Sequence, residues 1–151
     1  MNEGSSGRPR DDQPDEIWIG EIGPIPIFHN DDFRLEEHRA RLRQAAAVAD
    51  ALHSADELAH GMSHPDELVR IRVVPRLIAR GGGTDQAILT LTSALANDPS
   101  AGVRDIVATG LGGLPFEARI NAALQRAVED EDEEVRSAAR TSLLQYPDPA
   151  T

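Results

Sequence analysis

The chain has 151 residues, a formal net charge of −11 and no cysteine. A chain of one-domain length can bury roughly 68–70% of its extended-chain surface, and the missing thiols exclude both a disulfide framework and a thiolate metal site. The acidity argues against nucleic-acid binding, which needs a basic face to neutralise phosphates. It suits a protein that is simply soluble, or one that meets a basic partner.

No apolar run approaches the ~20 residues that span a bilayer, and the N-terminus lacks a basic-then-apolar signal pattern. The expectation is therefore a cytoplasmic protein with no membrane contact. Hydrophobic residues make up 40% of the chain. Only Trp18, Phe28, Phe33, Phe116 and Tyr146 are aromatic, so the interior must be aliphatic and alanine-rich, as suits closely approaching helices.

In chain order, residues 1–15 are polar and rich in Gly, Pro, Ser and charge, which predicts a disordered tail. Residues 16–29 form an isoleucine-rich arm in which Gly20, Gly23, Pro24 and Pro26 exclude a helix and favour an extended or polyproline II path. So apolar an arm should pack on the helical body. Asn30 is a candidate N-cap followed by Asp31 and Asp32. From there Leu35, Leu42, Ala45, Ala46, Ala49 and Leu52 mark a helical stripe ending near His53. Ser54 with Glu57 is a capping box for a short helix over 55–62.

Pro65 suits the first position of a helix running to about Arg80, which Gly81-Gly82-Gly83 stops. Further pairs are predicted over 85–97 with 99–112, and over 116–129 with 131–146. Residues 147–151 form a C-terminal tail.

These helices repeat. Val-Arg recurs at Val69-Arg70, Val103-Arg104 and Val135-Arg136, spaced by 34 and 32 residues. Six positions before each arginine stands His64, Asp98 or Asp130. A fixed period with matching flanks means one supersecondary unit used repeatedly. Asp98 followed by Pro99, and Asp130 followed by Glu133, are read as N-caps of the second helices. Val69, Val73 and Leu77 share one face, as do Val103, Val107, Leu111 and Val135, Ala139, Leu143. Small residues such as Gly110, Ala138 and Ser142 are left to face the adjacent unit. Each arginine can reach an aspartate at a helix start, in its own unit or the next, and so set the register of stacking.

Over about Ser54 to Tyr146 the pattern Asp-Pro-x-x-x-Val-Arg-x-x-Ala resembles the HEAT-like repeat family, in particular its short bacterial form, and is closest at Asp98-Pro99-Ser100-Ala101-Gly102-Val103-Arg104. The resemblance implies an all-α fold over residues 30–146: a short right-handed α-solenoid of about three helix pairs, preceded by an N-terminal helix and the extended arm. It also implies a ladder between neighbouring repeats, carried over to Arg70, Arg104 and Arg136 and to Asp98 and Asp130. His64 departs from that pattern. In such solenoids the second helices line the concave surface, where partners dock.

The first unit deviates in three ways. Arg72, Arg76 and Arg80 form a positive stripe, which either pairs with acids such as Asp50, Asp56 or Glu57 or receives an anion or acidic peptide. Pro75 sits in mid-helix. Ile71, Val74 and Ile78 lie off the core face; an open apolar strip there is a binding site, and burial by the 16–29 arm is the favoured alternative.

His60 and His64, four apart, have metal-ligand spacing, but a helix break separates them and no metal or other cofactor is expected. The acidic run from Glu129 to Glu134 reads as a solvated helix start, and His38 to Arg43 as a solvent face of the first helix. No nucleophile, phosphate-loop or dinucleotide motif is present.

The expected function is non-catalytic protein binding on the concave face, by an adaptor, regulator or immunity-type protein, with Ile71, Arg72, Val74, Arg76, Ile78, Arg80, Asp105 and Arg140 as the candidate surface. The partner is a protein, a basic one suiting the net charge, and the chain itself a monomer or weak dimer. The resemblance leaves a second class open: bilin lyase-like enzymes, or DNA glycosylase-like ones, which need a basic aromatic cleft absent from these repeats.

Overall fold

Ser54 and Glu57 set the pattern for the helix starts. The Ser54 hydroxyl accepts the Glu57 N–H at 3.1 Å, while the Glu57 carboxylate accepts the Ser54 N–H, also at 3.1 Å. This reciprocal capping satisfies two donors that a helix start leaves open. In the computed structural model it opens the second of the seven helices found among the described residues: α1 (Asn30–Asp50), α2 (Ala55–Gly61), α3 (Glu67–Gly81), α4 (Asp85–Asn97), α5 (Ala101–Leu111), α6 (Ala118–Ala127) and α7 (Glu133–Gln145). The structure describes residues 16–19, 23–26, 30–146 and 149. The tail expected over 1–15, and the segments 20–22 and 27–29 of the arm, lie outside the described residues.

Two strands precede the helices, β1 (Glu16–Ile19) and β2 (Gly23–Pro26), paired antiparallel with Ile17 opposite Ile25 and Trp18 opposite Pro24. An extended path was expected; a paired one was not. Pro24 and Pro26 occupy alternate positions, so their missing N–H groups fall on the same edge and leave Ile25 between them free to pair. Residues 1–41 and 42–151 form separate compact units, and α1 runs through the boundary.

The second unit is a short α-solenoid of helical hairpins. Its hairpins are α2–α3, α4–α5 and α6–α7, and the second helices α3, α5 and α7 are neighbours in that order. Of the expected face residues, Val69, Val73, Leu77, Val103, Val107, Leu111, Val135 and Ala139 are buried and Leu143 is half-buried, and Leu58, Leu91 and Leu124 join them from the first helices. Before the first hairpin, Ala45 and Ala49 are buried, whereas Leu35 and Leu42 are exposed. Phe116 and Tyr146 stack at 5.4 Å, and the Tyr146 hydroxyl donates to the Pro115 carbonyl at 2.8 Å.

The second helices begin two residues later than the sequence suggested. Their N-caps are Asp66, Ser100 and Asp132, not His64, Asp98 and Asp130. Pro65 and Pro99 precede the caps, where their fixed φ shapes the approach to the helix instead of its first turn. Helix α3 continues past Pro75, which is exposed.

Between hairpins, one recurring contact sets the closeness of approach. A side chain eight residues after the repeat arginine meets the position six after the next unit's arginine. At the first joint Ile78 lies against Gly110, where a Cβ would overlap its Cδ1. At the second joint the sizes reverse: a Cβ on Gly112 would stand 2.7 Å from the Cβ of Ser142 and 3.0 Å from its Cα. The Ser142 hydroxyl then donates to the Ala108 carbonyl at 2.8 Å. Because the Ile78 methyl can swing and the Ser142 backbone cannot, Gly112→Ala should cost about 1–3 kcal/mol by overpacking. Gly110→Ala should be near neutral, its crowding offset by about 1 kcal/mol of gained helix propensity. Urea denaturation of the two variants checks the contrast.

Candidate interaction surface

Each joint is built on one arginine whose guanidinium faces two ways. Arg70 donates through Nη1 to the carbonyls of His64 (2.8 Å) and Pro65 (3.1 Å), closing its own helix start. Its Nε and Nη2 donate bidentately to Asp98 of the next hairpin, both at 2.9 Å. Arg104 repeats the arrangement, with Nη1 on the Asp98 carbonyl at 2.7 Å and Nε and Nη2 on Asp130 at 2.9 and 3.1 Å. Both arginines are buried, at 7% and 6% exposure. Planar bidentate pairing is the geometry a guanidinium and a carboxylate favour.

The aspartates do double duty. Asp98 Oδ1 also accepts the Ser100 N–H, and Asp130 Oδ1 the Asp132 N–H, each at 2.9 Å. Thus one carboxylate turns the chain into its own second helix and receives the arginine behind it. His64 performs the first task alone: its Nδ1 accepts the Asp66 N–H at 3.0 Å. Among the described residues no preceding repeat arginine stands before it, so an imidazole suffices where the other units need a carboxylate. Burial tends to raise the Asp130 pKa, but the hydrogen bonds from Arg104 and from the Asp132 N–H outweigh it and hold the carboxyl below its ordinary value. The hydrogen bond to Asp130 correspondingly raises Arg104.

The candidate binding residues separate into two groups. Ile71, Val74 and Ile78 do not form an open strip: Val74 is fully buried, and Ile71 and Ile78 pack toward Gly102 and Gly110 of α5. Their unusual size is explained by the glycines opposite them. Arg76 is likewise committed. It donates to the Ala49 carbonyl and, at 2.7 Å, to the Leu52 carbonyl, and lies 3.8 Å from Asp50, so it caps the end of α1. This agrees with pairing to Asp50; Asp56 and Glu57 take no part in it. Arg72, Arg80 and Arg140 are exposed, with no hydrogen-bond or ion-pair partner among the described residues. Asp105 is half-buried, and burial first, then the charge of Asp132, raise its pKa.

A groove of about 550 Å³ lies between the end of α1, α2 and the start of α3, with Val48, Leu52 and Val69 as apolar lining. His60 and His64 both reach it. Each has one ring nitrogen engaged, His60 Nδ1 with the Asp56 carbonyl at 2.8 Å and His64 Nδ1 as described. Sequence reasoning missed this groove, because it depends on how α1 meets the first hairpin.

Residues 88–151 match the family of HEAT repeats. This segment takes in most of α4 together with α5, α6 and α7, and the Arg70–Asp98 contact joins α3 to it. No curated protein and no solved structure matches the chain.

Two measurements follow from the joint chemistry. Arg104→Ala leaves the half-buried Asp130 carboxylate without its partner and should cost on the order of 3 kcal/mol. Arg136→Ala removes only bonds to its own unit's carbonyls and should cost about 1–2 kcal/mol; chemical denaturation separates them. For Asp105 the raised folded pKa means the charged form is disfavoured in the fold. Asp105→Asn should therefore raise the melting temperature at pH 7, and the gain should vanish once acid has protonated Asp105 in both folded and unfolded wild type. Calorimetry across that range tests the sign.

Proposed function

We propose that the chain is a non-catalytic protein-interaction module, and that the exposed face of its second helices binds acidic side chains of a partner protein. HEAT repeats commonly act as interaction scaffolds. The observation that carries the reading is the placement of Arg72 and Arg80. In a chain of net charge −11 they stand two turns apart on one helix, exposed, with no ion-pair partner among the described residues. Arg76 between them is taken by α1, and on α7 Arg140 is also exposed. A partner that contributes carboxylates to this face gains bidentate contacts that water otherwise fills. The face of α3, α5 and α7 is thus the proposed docking surface.

With the full chain as bait in an extract of the source cell, the partner retained by wild type should be lost by roughly tenfold or more on Arg72→Glu/Arg80→Glu. It should persist with Arg126→Glu, a reversal of an exposed arginine on the first helices. Retention unchanged by the double reversal, or turnover of a small molecule by the purified protein, overturns the reading.

A further inference from the structure

The groove between the end of α1, α2 and the start of α3 is held open by bonds behind its walls. Arg76 donates to the carbonyls of Ala49 and Leu52 and fixes the end of α1. Arg70 donates to those of His64 and Pro65 and fixes the turn into α3. The reciprocal capping of Ser54 and Glu57 holds the start of α2 between them. Val48, Leu52 and Val69 therefore line a preformed concavity of about 550 Å³. Sites for small molecules have this size, roughly 300–1,000 Å³, and this largely apolar character.

Its polar groups are few and of defined sense. His60 Nδ1 meets the Asp56 carbonyl, which can only accept, so this nitrogen carries the proton and Nε2 is left as an acceptor. His64 Nδ1 accepts the Asp66 N–H, so the proton of the neutral ring sits on Nε2, which is left as a donor. Neither Nε2 has a partner among the described residues. The charged residues that line the groove are Asp56 and Glu57, both acidic.

We propose that this groove binds a small uncharged nitrogen heterocycle or cyclic amide. Its apolar ring lies against Val48, Leu52 and Val69, its N–H donates to His60 Nε2, and its carbonyl or ring nitrogen accepts from His64 Nε2. Other chemistries fit less well. A hydrocarbon displaces water from both imidazole nitrogens and returns no hydrogen bond. An anion meets the carboxylates of Asp56 and Glu57, and a simple ammonium has no acceptor for the His64 N–H. Neither Arg72 nor Arg80 lines the groove, so this site stands apart from the face proposed for a protein partner.

NMR of the full chain tests the proposal in two stages. Imidazole nitrogen–proton correlations should show His60 protonated on Nδ1 and His64 on Nε2; the reverse tautomer at either ring overturns it. Benzimidazole and carbostyril, which set their donor and acceptor at different spacings, are then titrated in. At least one should shift both Nε2 signals and the methyls of Val48, Leu52 and Val69 saturably. Its N-methyl derivative, which lacks the donor, should bind about tenfold more weakly, and naphthoate should not bind. His60→Phe should abolish the preference for the N–H form, and Val48→Phe, which fills the groove from α1, should abolish the shifts with the helical content unchanged. No saturable shift with either heterocycle overturns the proposal, as do equal binding of the N-methyl form, binding of naphthoate, or shifts that survive Val48→Phe. Cross-relaxation in the free chain between the groove methyls and isoleucines of residues 16–29 overturns the choice of occupant.

Discussion

A buried guanidinium can be held in place only if most of its donors find acceptors, because desolvating the charge costs several kcal/mol that poor geometry does not recover. Arg70 and Arg104 meet this condition by dividing their donors between two hairpins. The Nη1 side is fixed to carbonyls of the unit that carries the arginine, so the Nε–Nη2 edge is oriented before the neighbour arrives. The neighbour's aspartate is oriented as well, since it already accepts the N–H two residues ahead. A displacement of one helix against the next by a single residue would leave two buried charges facing each other without contact. Such pairs are weak evidence for net stability against an apolar alternative. Their physical effect here is to allow one register.

Around these fixed points the packing has latitude, and the chain uses it. The two joints place the larger and the smaller residue in opposite order, Ile78 on Gly110 and Gly112 against Ser142. This is why the first unit looks aberrant when its sequence is laid over the others. Isoleucines at positions that elsewhere hold small or polar residues imply exposure only if the opposing surface is assumed constant. Glycine on α5 makes the difference.

The fold was legible to the extent that it depends on periodic, local signals. The buried valine and leucine faces and the Ser54–Glu57 box each lie within about two turns of helix, and the Val-Arg pairs recur at a fixed period of 34 and 32 residues; each stands in the structure where its chemistry requires. The N-caps were displaced by two residues because Asp98 and Asp130 have a capping residue's composition while serving a turn that precedes the cap. Sequence alone does not distinguish an aspartate that accepts the N–H of the second residue on from one that starts the helix there. The arginine stripe was divided for a different reason. Arg76 differs from Arg72 and Arg80 only in what lies opposite it, the open carbonyls at the end of α1, and that contact spans more than twenty residues of chain.

The departures of the first hairpin then acquire a common cause. It meets α1 where the others meet a hairpin, so it has no repeat arginine to receive, and His64 retains the local half of the aspartate's work while dispensing with its charge. Its sixth position after the arginine faces helix-end carbonyls, where the later units face Ile78 and Gly112. A guanidinium suits that surroundings as glycine or serine suits the others, since the last carbonyls of a helix carry partial negative charge and lack donors. His64 and Arg76 are therefore two consequences of one change of neighbour.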